Sequence, residues 1–154
     1  MRTSAYLPQE QGLYNPIHEH DACGVGMVVD TKAIASHSIV EKGITILERL
    51  LHRGATGSDP ETGDGAGMLL QIPHDFFKHV VPFDLPEAGK YAVGMFFLPR
   101  QEELRKACCE HVAQAAQQEG VCLLGWRDVP VDDQAIGKTA RECAPHIMQC
   151  FFAL

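Results

Sequence analysis

The chain has no run approaching the roughly 20 consecutive apolar residues of a membrane-spanning helix, because charge, Gly or Pro interrupts every apolar stretch. Its opening, MRTSAYLPQEQGLYNPIHEHDA, has no apolar central region, so it does not read as a secretory signal and the expected address is cytoplasmic. Basic residues are scarce. Thirteen Lys and Arg stand against 20 Asp and Glu, a net charge of -7, and a surface of that sign repels phosphate backbones and anionic lipid. Neither nucleic acid nor a membrane surface is therefore expected as a partner. CxxC pairs are also absent. The six cysteines (Cys23, Cys108, Cys109, Cys122, Cys143 and Cys150) lack the spacing and the secretory context of a disulfide framework. Five of them read as reduced, small apolar fillers.

What is present suits a layered domain. With 154 residues and 45% hydrophobic content the chain can build a real core. Residues 1–22 are polar, irregular and broken by Pro8, Gly12 and Pro16. GVGMVV then reads as a buried strand, Gly24 to Val29, whose glycines allow close approach of another group. In SHSIVEKGITILERLLHRG, Ser38 and Glu41 match a capping box. Val40, Gly43, Ile44, Leu47, Leu50 and Leu51 form a helical apolar stripe, and Gly54 suits its end. The 13-residue loop ATGSDPETGDGAG has no periodicity, and loops of that length are usually functional or mobile.

Further on, AGMLLQI reads as a strand, followed by a turn at Pro73 and the short apolar segment DFFKHV. YAVGMFFLP and VCLLGW read as buried strands. Between them, Gln101 to Glu119 form an amphipathic helix with Leu104, Cys108, Val112 and Ala115 on one face and Gly120 past its end. The tail QAIGKTARECAPHIMQCFFAL reads as a turn, a short polar segment and the start of a strand. Buried strands alternating with amphipathic helices fit helices layered on sheets, with parallel and antiparallel arrangements both open.

Three constellations could carry chemistry. His18, His20, Asp21 and Cys23 fall within six residues and are all possible metal ligands, but no second ligand pair with familiar spacing accompanies them. Two solvated histidines on a leader are the plainer reading. TGDGAG offers glycines that could cradle an anion, yet it precedes a strand, lacks a following Lys-Ser or Lys-Thr, and carries Asp64 at its centre, so a structural turn is favoured. The third is a nucleophile. An α-amino group titrates at about 7.7 to 8.0 and a thiol at about 8.5, so a cut between Ala22 and Cys23 would put a base a few bonds from the sulfur. Uncut, the residue has no such base; a lone buried thiol is the alternative.

GLYNPIHEHDACGVGMV, IVEKGITILERLLHRGATGSDPETGDGAGMLLQIP and IGKTARECAPHIMQCF together resemble the N-terminal class II glutamine amidotransferase domain of glutamate synthase large subunits. The resemblance runs from about Gly12 to Phe151. It implies an α+β fold of the N-terminal-nucleophile hydrolase type, an αββα sandwich of two facing antiparallel sheets between helices, incomplete at the C-terminus here. It also implies that Met1 to Ala22 are a propeptide, that residues 23–154 begin the amidotransferase domain, and that Cys23 attacks the side-chain amide of L-glutamine. The thioester and ammonia so formed would be followed by hydrolysis to glutamate. In the parent enzyme the ammonia would pass to 2-oxoglutarate in a separate domain bearing FMN and an iron–sulfur cluster. No cofactor or metal is expected in this chain. The remainder of the large subunit and a small electron-transfer subunit are the implied partners.

The loop glycines would let backbone pack close to the thiol-bearing strand, while Arg53, Asp59 and Asp64 receive no catalytic role; a helix-end arginine facing terminal carbonyls is the reading favoured for Arg53 over a carboxylate clamp. A QRFST-like arginine segment and an HNGE-like oxyanion turn, both part of the family pattern, occur nowhere in the sequence. The isolated chain is therefore expected to be inactive. Alternatives are a non-catalytic piece acting only with a separately encoded remainder, motivated by the apolar terminus CFFAL, expected to leave an open sheet edge, and a partial reading frame without an independent role.

Overall fold

The apolar stretch YAVGMFFL forms strand β1 (Tyr91–Leu98), CLLGWRD forms β2 (Cys122–Asp128) and HIMQCFFA forms β3 (His146–Ala153) in the computed structural model of the chain. The structure describes residues 10–12, 15, 24–51, 54, 59–63 and 65–153. The three strands make one antiparallel sheet in the order β1-β3-β2. CFFAL is thus not an open edge. Its described residues belong to the central strand, paired on both sides, where Tyr91 and Cys122 both oppose Ala153. An apolar run flanked by polar chain fits a strand covered on both faces, and Cys150 and Phe151 are both 0% exposed.

Among the described residues four α-helices accompany the strands, α1 (His37–Arg49), α2 (His74–Val80), α3 (Glu102–Gln118) and α4 (Lys138–Cys143), with a 3-10 turn at Asp133–Ala135. The described chain groups into two units. One holds residues 1–56 and 63–68, and the other residues 57–62 and 69–154.

In the sheet unit, Phe151 is the centre of the core. Phe77 of α2 meets it edge-on at 5.0 Å between centroids, Phe83 meets it edge-on at 5.4 Å, and Tyr91 stacks at 6.3 Å. Offset and edge-on aromatic pairs are the favourable geometries. Gly125 makes this possible: a Cβ there would collide with the Phe83 ring, and a register shift between Leu123 and Gly125 bulges β2 at that place. The preceding residue in β3, Cys150, points to the opposite face by strand alternation. Met148 on that face lines a hollow with α3 residues Arg105 and Cys109, and Phe152 lines another with Val112 and Ala116.

Helix α3 ends as the sequence suggests. Gly120 adopts φ +70°, its N–H donates to Gln117 O, and Val121 N–H donates to Ala116 O at 2.8 Å, a Schellman ending that satisfies two orphan carbonyls. Its inward face matches the expected one in part: Cys108 and Val112 are half-buried, alongside Arg105 and Cys109 and the buried Ala116, whereas Leu104 is 52% exposed and Ala115 is exposed. The segment DFFKHV is helical with His74, and the polar segment of the tail forms α4.

The other unit departs further from expectation. Helix α1 starts on Ser36, not Ser38, and neither serine makes the capping bond; their hydroxyls pair with each other at 2.9 Å. The capping box is therefore absent, because Ser38 already lies inside the helix and Glu41 no longer falls at its partner position. Ile39, Val40, Gly43, Ile46, Leu47 and Leu50 are half-buried, while Ile44 and Leu51 face outward. Residues 24–29 form no strand; Val25 and Met27 are each 87% exposed. AGMLLQI likewise forms none, and Leu69 is fully exposed. Apolar content alone makes no strand when no described segment offers a ladder of backbone partners. No described helix is long and apolar enough to cross a membrane.

Candidate functional site

Cys23, Arg53 and Asp64 lie outside the described residues, as do His18, His20 and Asp21. What is described is the chain leaving Cys23 and the helix it meets. A Cβ added at Gly26 would sit 2.5 Å from Ile46 Cγ2 of α1, so only glycine lets the chain three residues past Cys23 approach α1 this closely. On the same helix, the side chain of Met68, just past the glycine-rich loop, lays its sulfur against Gly43. The chain after Cys23 is thus seated on α1 at Gly26, and the Met68 side chain rests on the same helix at Gly43.

Two of the loop glycines, Gly65 and Gly67, show no close approach among the described residues. A Cβ at Gly65 or Gly67 would meet nothing within 4 Å, so their approach to other backbone is not what requires glycine there. Close approach that needs glycine is seen at Gly26.

Asp59 is the one singled-out loop residue that the structure places. Its carboxylate accepts from Thr62 Oγ1 at 2.8 Å, from Glu61 N–H at 3.1 Å, and from Thr139 N–H at 3.2 Å. The Thr62 hydroxyl, followed by the Thr139 and Glu61 amides, holds its acid below the ordinary carboxylate value. Thr62 Oγ1 also accepts from Ala140 N–H at 3.4 Å, and Gly137 N–H donates to Glu61 O at 3.0 Å. Helix α4 opens on Gly137, which has no side chain to cap it. Two of its orphan amides, at Thr139 and Ala140, are satisfied by side chains from about 80 residues earlier. Gly137 is buried, and a Cβ there would collide with Thr62 Oγ1 and lie 2.7 Å from Asp59 Oδ2. Asp59 is a structural acid. The signal for it was a helix beginning on glycine, whose amides need acceptors from elsewhere.

The remaining thiols are free, but the filler reading holds fully only for Cys150. Cys108 and Cys109 are half-buried, and Cys122 and Cys143 are exposed. Burial pushes the Cys150 thiol up to about 12, and burial followed by the neighbouring Cys108 raises Cys109. Neither is a ready thiolate at neutral pH. Two shallow hollows of about 300 Å³ flank α3, one lined by Glu102, Arg105, Lys106, Cys109, Glu110 and Met148, the other mainly apolar; neither includes Asp59. Among the described residues no group of three or more His, Cys, Asp or Glu is arranged to hold a metal ion.

Comparison with known proteins identifies the class. The family model for class-II glutamine amidotransferases matches residues 23–154, and the chain belongs to that family. Among individual relatives, it is 46% identical to the glutamate synthase [NADPH] large chain of Bacillus subtilis over 94% of its own length. It is 43% identical to glutamate synthase [NADH] of Saccharomyces cerevisiae over 93%, and 38% identical to ferredoxin-dependent glutamate synthase 1 of Arabidopsis thaliana over 96%. The chain spans 10%, 7% and 9% of those relatives, respectively.

Proposed function

We propose that Cys23 is the nucleophile of a glutamine-hydrolysing site, generated when Met1 to Ala22 are removed, and that residues 23–154 form the first part of the amidotransferase domain. The observation that carries this reading is the family match, whose first residue is Cys23 itself, in the string HDACGVG. Once freed, its α-amino group, with an ordinary value of about 7.7 to 8.0, takes the thiol proton. The thiolate then attacks the glutamine side-chain carbonyl. The C–N bond breaks, ammonia leaves with the proton returned by the amine, and a thioester remains. Water attacks the thioester, releasing glutamate and restoring the thiol.

In this reading the seat on α1 fixes the chain that leaves the nucleophile, and the three-stranded sheet belongs to one of the two facing sheets of an αββα sandwich. The ammonia serves glutamate synthesis in the whole protein, whose partners are L-glutamine, the remainder of the large subunit and a small electron-transfer subunit, in the cytoplasm. FMN and an iron–sulfur cluster, which would supply electrons for that synthesis, belong to a separate domain, and no step above runs through them. The relatives' names span NADPH, NADH and ferredoxin, so they do not select one donor.

The 154 residues hold neither the QRFST-like nor the HNGE-like string, and missing oxyanion donors alone cost about 2.7 to 4 kcal/mol of transition-state stabilisation. By itself the chain is therefore expected to release negligible ammonia. The experiment is a hybrid in which residues 23–154 replace the matching segment of the Bacillus subtilis large chain. Glutamine-dependent ammonia release is expected from the hybrid, with a loss of about 10³-fold or more in Cys23→Ala. Unchanged release by Cys23→Ala would overturn the assignment.

A further inference from the structure

The turn at residues 59–62 is closed by its own hydrogen bonds onto Asp59 and is also tied to chain that follows it by about 80 positions. Three separate contacts converge there: Asp59 Oδ2 with Thr139 N–H, Thr62 Oγ1 with Ala140 N–H, and Glu61 O with Gly137 N–H. Both partners depend on the exchange. A six-residue helix is too short to persist on its own propensity, and α4 has no capping side chain at its own N-terminus. The turn likewise groups with the sheet unit although residues 1–56 and 63–68, on either side of it, group with α1.

We propose that Asp59, Thr62 and Gly137 form a latch, in which Asp59 and Thr62 are positioning residues that fix the middle of the glycine-rich loop to the start of α4. Because α4 runs through Ala144 and Pro145 directly into β3, the latch can close only when that central strand has brought α4 into place. The loop's position therefore reports on completion of the sheet. This role is independent of whether Cys23 is a nucleophile.

The test is residue-resolved amide hydrogen exchange on the full 154-residue chain. The Glu61, Thr62, Gly137, Thr139 and Ala140 amides are expected to exchange as one group, and Asp59→Ala to speed the group about tenfold while the β1 and β3 ladder amides keep their rates. Gly137→Ala leaves Asp59 and Thr62 intact but fills their space, so it should reproduce the same pattern. Combined with Asp59→Ala it should add nothing further, as expected for two changes that break one contact. Thr62→Ser, which keeps the hydroxyl, should behave as the parent chain, and Thr62→Val should not. The latch is overturned if Thr139 and Ala140 stay protected in Asp59→Ala, if the two changes act additively, or if the ladder amides accelerate in parallel with the group.

Discussion

The two units share a vocabulary of glycines and apolar residues but use it differently. In the sheet unit Phe151 is sealed by three aromatic rings and Cys150 is fully buried beside it in β3. In the α1 unit no helix residue is buried, and Val25 and Met27 stand exposed two and four residues after Cys23. The comparison teaches that periodicity states which side chains a segment can bury, whereas burial needs a second element to meet it. Strand β3 has a paired neighbour on each side; residues 24–29 have none among those described.

The largest expected effect lies at the sheet centre. Phe151→Ala should cost about 3–5 kcal/mol, read as a lowered urea midpoint, whereas Met27→Ser should stay within about 0.5 kcal/mol. Equal losses would erase the contrast between the units. Next comes Gly125→Ala, which forces the Phe83 ring from its place and should destabilise by about 1–3 kcal/mol, the usual range for overpacking. A neutral result would show that the ring shifts freely.

The thiols sharpen the same contrast kinetically. At pH 8, alkylation followed by peptide mass spectrometry should label Cys122 and Cys143 first and Cys108 and Cys109 more slowly, with Cys150 labelled only on unfolding. Because burial raises the folded Cys150 thiol to about 12, its contribution to stability is complete below the ordinary thiol value of about 8.5 and falls as pH rises toward 12. Asp59 works in the opposite direction. Its acid is lowered in the fold, so the stability it contributes is present above the ordinary carboxylate value of about 4 and is lost as pH falls through the lowered one. Denaturation midpoints of Asp59→Asn should therefore be less sensitive to acidification than those of the parent chain. The smallest effect belongs to the exposed Glu102–Lys106 pair at 2.6 Å, where Lys106→Ala should cost no more than about 0.5 kcal/mol.

Much of the sheet unit was legible in the sequence. YAVGMFFL and VCLLGW became β1 and β2, and Gly120 ended α3, because short bounded apolar runs and a left-handed glycine act locally. The central place of β3 was not legible, since strand order depends on contacts far apart in the chain. The same holds for Asp59: its partners lie 80 residues away, and only the unguarded glycine at position 137 hinted at them. GVGMVV and AGMLLQI misled because apolar content was taken for burial. At the candidate site, the motif around Cys23 marked the family, while Gly26 meets Ile46 and Gly43 meets the Met68 side chain, which no local pattern announces.

The central claim concerns one sulfur atom. Treating the hybrid that begins at Cys23 with a glutamine analogue bearing an electrophilic carbon in place of its side-chain amide, then mapping the adduct by mass spectrometry, addresses it directly. A single adduct on Cys23, absent when residues 1–22 remain attached, is the predicted result; an adduct at another residue, or equal labelling with the leader in place, would contradict it.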